Sequence, residues 1–361
     1  MAIATGDLIV RRSVEVLKQG QAESGAFIAS PSFPTYHYAW LRDGAFCAHA
    51  LDLFGESGAA LAFHRWVSRS IEGHREMIEG AIVAIDAGSP PPAEEMPPAR
   101  YTLDGSLEQP DGDEPWPNFQ VDGYGMWLWA FAEHLAAPAS ADDRATVELV
   151  ARYVRATAPL KSYSCWEEFD GGEHASTLGA AIAGLEAAAL LLDEPAWGDE
   201  ADRLRARLLE RFLREGRFMR GAADERVDGS LLWLGVPFSV LPIDDPRMEA
   251  TVEAVRDDLL RPGGGVYRYR GDTYYGGGEW ILLACSLGWY EVVRGNSDAA
   301  LPIRDWARAQ AGENGDLPEQ VSEHVQSPEM VVPWVERWGP VANPLLWSHA
   351  MYLILESALA A

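Results

Sequence analysis

The chain reads as an all-α protein, a closed ring of helical hairpins carrying short β-hairpins in its loops. Three observations lead there. Apolar residues recur at three- and four-residue spacing in many windows, the period of a helix with one buried face. Many of those windows are rich in Ala and Leu, both strong helix formers. The windows are joined by irregular loops, with no regular alternation of strand and helix that would call for a parallel sheet.

Taken in order, the spacing predicts helices near 6–19, 43–54, 57–80, 122–137, 140–158 and 174–192. It predicts five more near 197–216, 246–260, 278–294, 297–312 and 344–359. The first mixes Asp7, Arg11, Arg12 and Glu15 into an apolar pattern. Asp122 and Gly123 open the fourth, and Ser140 with Asp142 and Asp143 opens the fifth, as capping residues and first-turn acids do. Hairpin-like stretches occur at 217–234 and 265–275. The Pro/Gly/acid-rich segment 84–118 reads as a surface excursion ending at Trp116, because the helical pattern resumes after it unchanged. Its Asp111-Gly112-Asp113 fails the calcium-loop spacing and reads as a solvated turn. The expectation is a single domain over 1–361, without a carbohydrate-binding module or an N-terminal β-sandwich.

Composition narrows the function. With 361 residues, 48% of them hydrophobic, the chain can bury a large core. Its net charge of -26 repels nucleic acid and anionic membranes, which both need cationic neutralisation. Solubility, or a high-salt or GC-rich source, accounts for the acidity. Cys47, Cys165 and Cys285 are widely spaced and form no CxxC, so buried free thiols in a reducing compartment are expected. The N-terminus lacks a signal-peptide apolar region, and no uninterrupted run of roughly 18 apolar residues suggests a membrane span. The expected location is the cytoplasm. No glycine-rich nucleotide loop, GxSxG or HExxH occurs, so neither cofactor nor catalytic metal is expected.

What remains is carboxylate chemistry. Two segments that read as exposed carry clustered acids: Ser164-Cys165-Trp166-Glu167-Glu168-Phe169-Asp170 and Asn314-Gly315-Asp316-Leu317-Pro318-Glu319-Gln320. Two carboxylates in an aromatic and Arg-lined setting are the groups needed to cleave a sugar acetal. A general acid needs a raised pKa, and Trp166 and Glu168 flanking Glu167 would supply one. The triplet alone also fits a helix start, where acids are favoured. Glu319 follows Pro318, which would hold it stiffly enough to position a water; alone it also reads as an ordinary solvated glutamate.

Three further clusters could bind sugar. Arg42-Asp43 offers donors beside an acceptor, matched to sugar hydroxyls. Tyr36, Tyr38 and Trp40 alternate, which puts them on one face of an extended stretch. Trp116 with Gln120, Asp122 and Gly123, and Arg268 with Asp272-Thr273-Tyr274-Tyr275 ahead of Trp280, are polar-aromatic groupings. Each of these also fits core packing or a satisfied polar turn.

The order of the clusters is more specific than any one of them. Tyr-x-Trp-x-Arg-Asp, Trp-x3-Gln-x-Asp-Gly, Trp-Glu-Glu, Arg-Tyr-x2-Asp-Thr-Tyr-Tyr, Pro-Glu-Gln and Leu-x-Trp-Ser-His follow one another over roughly residues 36–349. This order resembles the glucoamylase-like glycoside hydrolases of family 15. The resemblance implies an (α/α)6 barrel and an inverting, exo-acting α-glucosidase. It implies Glu167 as general acid, Glu319 as general base, and Glu168 as a contact to the leaving sugar. Arg42 and Asp43 would hold the terminal glucose, Arg268 would reach the leaving side, and Tyr36 would sit by the base. Trp40, Trp116 and Trp280 would be aromatic walls, with Trp166, Gln120 and Asp122 also binding substrate. Asp43 is followed by Gly44 where relatives often carry Ser or Ala, and Cys165 stands where others have Leu or similar. Short isomalto- or malto-oligosaccharides are the expected substrates. The alternatives are an α,α-trehalase of the same family and a helical-barrel sugar epimerase or non-catalytic sugar binder.

Overall fold

Two kinds of helix build the molecule. The computed structural model describes residues 8–108, 116, 118–168 and 171–361. Residues 6–7 of the first predicted helix, the Asp111-Gly112-Asp113 turn, and Phe169 and Asp170 lie outside the described residues. Among the described residues the helices are α1 (Leu8–Gln19), α2 (Leu41–Leu53), α3 (Ser57–Gly73), α4 (Arg75–Asp86), α5 (Asp122–Leu135), α6 (Ala141–Thr157) and α7 (Ala175–Leu192). They continue with α8 (Ala196–Phe212), α9 (Pro246–Leu259), α10 (Ile281–Val293), α11 (Ser297–Ala309), α12 (Val331–Trp338) and α13 (Leu346–Ala360).

In α2, α5, α7, α10 and α13 almost every turn is buried all round. Helices of that kind belong inside. In α8, by contrast, only Ala201, Leu204, Leu208 and Phe212 are buried, the single stripe of a surface helix. The interior helices close a ring: α2 packs on α5, α5 on α7, α10 on α13, and α13 back on α2. A 3-10 segment, Gly229–Leu234, touches both α7 and α10 and fills the sixth inner position. Outside, α1 packs on α13, α3 on α2, α6 and α8 on α7, α9 on the 3-10 segment and α11 on α10. This is an (α/α)6 barrel.

Close approach of the inner helices depends on glycine. A Cβ on Gly125 would stand 2.3 Å from the Ala180 carbonyl oxygen, and one on Gly184 would stand 2.6 Å from Gly125 Cα, so α5 and α7 cross backbone to backbone. Gly44 has a similar reason: its Cβ would meet the Phe63 ring at 2.2 Å, leaving no room for Ser or Ala.

Short strands shape one end of the ring. β1 (Ala39–Trp40) pairs antiparallel with β2 (Arg100–Tyr101), and β5 (Glu279–Trp280) pairs antiparallel with β6 (Gln320–Val321). Trp40 and Trp280 are the last extended residues before α2 and α10. Each pair therefore holds a tryptophan and a facing loop over the N-terminal ends of the inner helices.

Several expectations need correction. The 57–80 helix breaks at His74, whose φ of -116° and ψ of 20° are not helical and whose Nε2 lies 3.0 Å from the Gly105 carbonyl oxygen. The 217–234 hairpin is smaller and earlier: β3 (Leu213–Arg214) pairs with β4 (Arg217–Phe218), which ends α8 at Phe212. Residues 265–275 make isolated bridges, such as Val266 with Leu260 and with Trp280, rather than a hairpin. Helix α12 was not anticipated; it is eight residues long and fully buries none of them, although Trp334 and Trp338 pack partly buried against the core. Helix α7 is long and apolar enough to cross a membrane, yet 83% of it is buried in this core.

Candidate active site

The inner helices bring their N-terminal ends to a cavity of about 470 Å³. Tyr36, Trp40, Arg42, Asp43, Trp116, Trp166, Glu167, Glu168, Arg268, Trp280 and Glu319 all line it. They come from loops and helix starts spread over nearly 300 positions of sequence, so only ring closure gathers them.

Glu167 sits in a tight turn, not at a helix start. Its amide donates to the Ser164 carbonyl at 2.9 Å, and the Ser164 amide donates to the Glu168 carbonyl at 2.9 Å. The turn places Glu167 at φ +63°, the left-handed region that a residue with a Cβ enters only at a cost. Its Oε1 accepts from Trp40 Nε1 at 2.5 Å and from Gln120 Nε2 at 3.2 Å, with Arg42 Nη2 at 3.8 Å. The neighbours expected to act on Glu167 are occupied elsewhere. Trp166 donates its indole N–H to Asp228 at 3.0 Å, and Glu168 accepts from Arg268 at 3.0 Å and from the Tyr269 phenol.

Glu319 is buried, at 2% exposure, not solvated. Its amide donates to the Ala342 carbonyl at 2.9 Å. The preceding residues are clamped by the Leu-x-Trp-Ser-His segment. Ser348 Oγ donates to the Pro318 carbonyl at 2.8 Å, and the Leu317 amide donates to His349 Nε2 at 2.9 Å. Burial pushes the Glu319 carboxyl up to about 7, against the Tyr36 hydrogen bond, Arg268 and Gln320, which favour the anion. Tyr36 Oη donates to Glu319 Oε1 at 3.0 Å, while Oε2 is buried without a partner among the described residues.

Arg42 and Asp43 open α2. Arg42 Nε lies 3.4 Å from Asp43 Oδ2, and neither atom has a well-formed hydrogen bond. Burial pushes the Asp43 carboxyl up to about 7 although Arg42 opposes it. A buried polar atom left in this state marks where a ligand's hydrogen bonds belong. Gln120 and Asp122 do not line the cavity, a correction to the sequence reading. At 1% exposure each, they stand behind Arg42, which donates to Gln120 Oε1 at 2.7 Å and to Asp122 Oδ2 at 3.2 Å. They hold the guanidinium from behind.

On the other wall Arg268 donates twice to Asp272, at 2.7 Å each, and lies 5.1 Å from the Tyr274 and Trp280 ring centres. Tyr38 misses the cavity: its ring and those of Trp40 and Trp116 surround the buried guanidinium of Arg100 at 4.2, 4.9 and 3.8 Å. Sequence reasoning missed Phe33 and the wall of Trp334, Arg337 and Trp338 contributed by α12, and it missed Arg100, which supports Trp40 and Trp116 from behind. The signal for α12 was one short apolar repeat, Val331, Trp334, Val335 and Trp338, at i, i+3, i+4 and i+7. Its Trp334 rests on Tyr274, ring centres 5.0 Å apart.

Orphaned polar atoms in an aromatic cavity suit a neutral polyhydroxylated ligand, and two carboxylates with different surroundings suit acid–base work on it. Comparison with known proteins gives the class: the chain is a glycoside hydrolase. It belongs to glycosyl hydrolases family 15, whose model matches residues 6–309. It is 40% identical to the isomaltose glucohydrolase of Kribbella flavida, over 97% of this chain and 92% of that protein. A glycosidase variant solved in complex with glucose superposes with a TM-score of 0.93 at 38% identity, covering 99% of both chains. A bacterial glucoamylase solved with acarbose shares the fold, with a TM-score of 0.76 at 22% identity over 98% of this chain and 55% of that one.

Proposed function

We infer that the protein is an inverting, exo-acting α-glucosidase that releases β-D-glucose from the non-reducing end of short α-gluco-oligosaccharides, with isomaltose the leading substrate. The observation that carries this is the shared cavity: it holds Glu167, whose Oε1 is fixed by two donors, and Glu319, whose Oε2 has none. The likeness to an isomaltose glucohydrolase over nearly the full length of both chains supports the choice of linkage.

The terminal glucose binds with its hydroxyls on Arg42 Nε and Asp43 Oδ2, satisfying both orphaned atoms. Hydroxyl donors to Asp43 favour its anion. Glu167 gives its proton to the glycosidic oxygen from Oε2, since Oε1 is committed to Trp40 and Gln120. Glu319 Oε2 draws a proton from the attacking water, and that water's oxygen forms the new bond to C1 as the bond to the leaving sugar breaks. Inversion requires room for that water, with carboxyl groups about 6.5–9.5 Å apart. Tyr36 stays protonated, because burial raises its phenol well above the ordinary value, with Glu319 adding to the effect. Glu168 and Arg268 meet the leaving sugar, and Trp40, Trp116, Trp166 and Trp280 pack on C–H faces. The cysteines are free and buried, which supports a cytoplasmic working place.

The test is a panel of isomaltose, maltose and trehalose, with the product anomer read by NMR before mutarotation. β-Glucose from isomaltose is expected. α-Glucose would overturn inversion, and cleavage of trehalose alone would make the enzyme a trehalase. Glu167→Gln and Glu319→Gln should each lose about 10²-fold or more in kcat. Full glucose release by both variants would sink the assignment.

A further inference from the structure

A second cluster of ionisable side chains lies at the opposite end of the ring. Asp52 is near the C-terminal end of α2, His64 is inside α3, and His134 is near the C-terminal end of α5. Each offers one ligand atom, and the three atoms lie within 4.8 Å of one another. His134 Nδ1 is 2.8 Å from Asp52 Oδ2, and the His134 and His64 ring centres are 5.0 Å apart.

His64 makes the cluster more than a surface ion pair. It is 1% exposed, and neither ring nitrogen has a hydrogen-bond partner among the described residues. A buried imidazole with both nitrogens idle is costly, and native structures usually show what satisfies such a group. A cavity of about 200 Å³, with Leu61, Arg65, Phe131, Ser140, Asp142 and Asp143 in its wall, opens beside it.

We propose that Asp52, His64 and His134 bind a divalent transition-metal ion, with Zn²⁺ the best fit. Two imidazoles and one carboxylate are a common zinc donor set, which a water would complete to four ligands. Calcium and magnesium are disfavoured, because they need mostly oxygen donors and two of these three ligands are imidazoles. The role is structural. Asp43 and Asp52 lie on one helix, roughly 14 Å apart along its axis. The ion therefore clasps the far ends of α2 and α5 to the middle of α3, while the near ends of α2 and α5 carry Arg42, Asp43 and Asp122.

The experiment uses the full chain after chelation and dialysis. Isothermal titration with Zn²⁺ should show a single tight site, and Co²⁺ should give visible absorption bands of a nitrogen/oxygen-ligated ion. Zn²⁺ should raise the melting temperature, since it binds the folded state, and Ca²⁺ should not. Asp52→Asn keeps the side chain's shape and should weaken Zn²⁺ at least tenfold while isomaltose hydrolysis stays unchanged. His64→Leu should abolish the site, and if it fails to fold Asp52→Asn still decides. His324→Ala tests a second cluster, Glu279, Glu323 and His324, and should leave the tight site intact. No saturable Zn²⁺ binding by the unsubstituted chain, equal binding by Asp52→Asn, or loss confined to His324→Ala would each overturn the proposal.

Discussion

Tyr36 donates its phenol proton to Oε1 of Glu319 across 3.0 Å, and the Tyr274 phenol lies 2.8 Å from the same Tyr36 oxygen. That hydrogen bond opposes the burial that pushes Glu319 up to about 7. A base must be ionised to work, so kcat/KM should fall as pH drops through that region. In Tyr36→Phe the opposing bond is gone, and the acid limb of the kcat/KM profile should move to higher pH. An unmoved limb would show that the phenol does not set the state of Glu319.

The same burial makes Glu319 a stability cost. Its folded pKa lies above its ordinary value of 4.5, so folding favours the protonated form. Stability is therefore full below about pH 4.5 and is lost as pH rises towards 7. Glu319→Gln removes the titration. It should be more stable than the unsubstituted chain at pH 8, by on the order of 1–3 kcal/mol, and the gain should vanish near pH 4.5. Urea unfolding at the two pH values measures the difference.

Gln120 touches two site groups at once, accepting from Arg42 at 2.7 Å and donating to Glu167 at 3.2 Å. Gln120→Leu leaves a buried guanidinium short of an acceptor and the acid short of a donor. Hydrogen bonds to charged groups contribute about 1.5–3 kcal/mol, so kcat/KM should drop roughly 10- to 100-fold. Steady-state kinetics with a circular dichroism control would separate this from misfolding.

His349 holds the loop of the proposed base from 30 residues away. It accepts from the Leu317 amide at 2.9 Å, and its Nδ1 lies 2.8 Å from Ser13 Oγ. Burial pulls its pKa down to about 3. Its contribution to stability is thus present above its ordinary pKa of 6.5 and is lost as pH falls below it. His349→Gln should be less stable at pH 7.5, by about 1–3 kcal/mol, with the gap narrowing towards pH 5. A constant gap in denaturant midpoints would contradict this.

Much of this was legible in the chain because chemistry-bearing residues cluster just before apolar helical windows. Arg42-Asp43 and Trp280 stand at helix starts, and a ring of helices necessarily brings such starts together. Tertiary placement decided the rest. Glu319 reads locally as solvated, and is buried by partners such as Tyr36, 283 positions away. Gln120 and Asp122 belong to the right motif, but helix direction turns them behind Arg42. His74 breaks a helix by reaching Gly105, and α12 lies over Tyr274 with no fully buried residue. A segment of eight residues gives too brief a periodic trace to stand out.

The backbone of Glu167, at φ +63°, bears on how such an enzyme decays. Glycine occupies that conformation freely, while a residue with a Cβ gives up about 1 kcal/mol to hold it. In a lineage no longer selected for hydrolysis, Gly at this position would relax the turn but leave Trp40 Nε1 and Gln120 Nε2 without the acceptor they share, so the two effects oppose each other. The carboxylate that the chemistry needs is thus also the group that holds its own strained backbone in place, and loss of activity brings no free gain in stability at this turn.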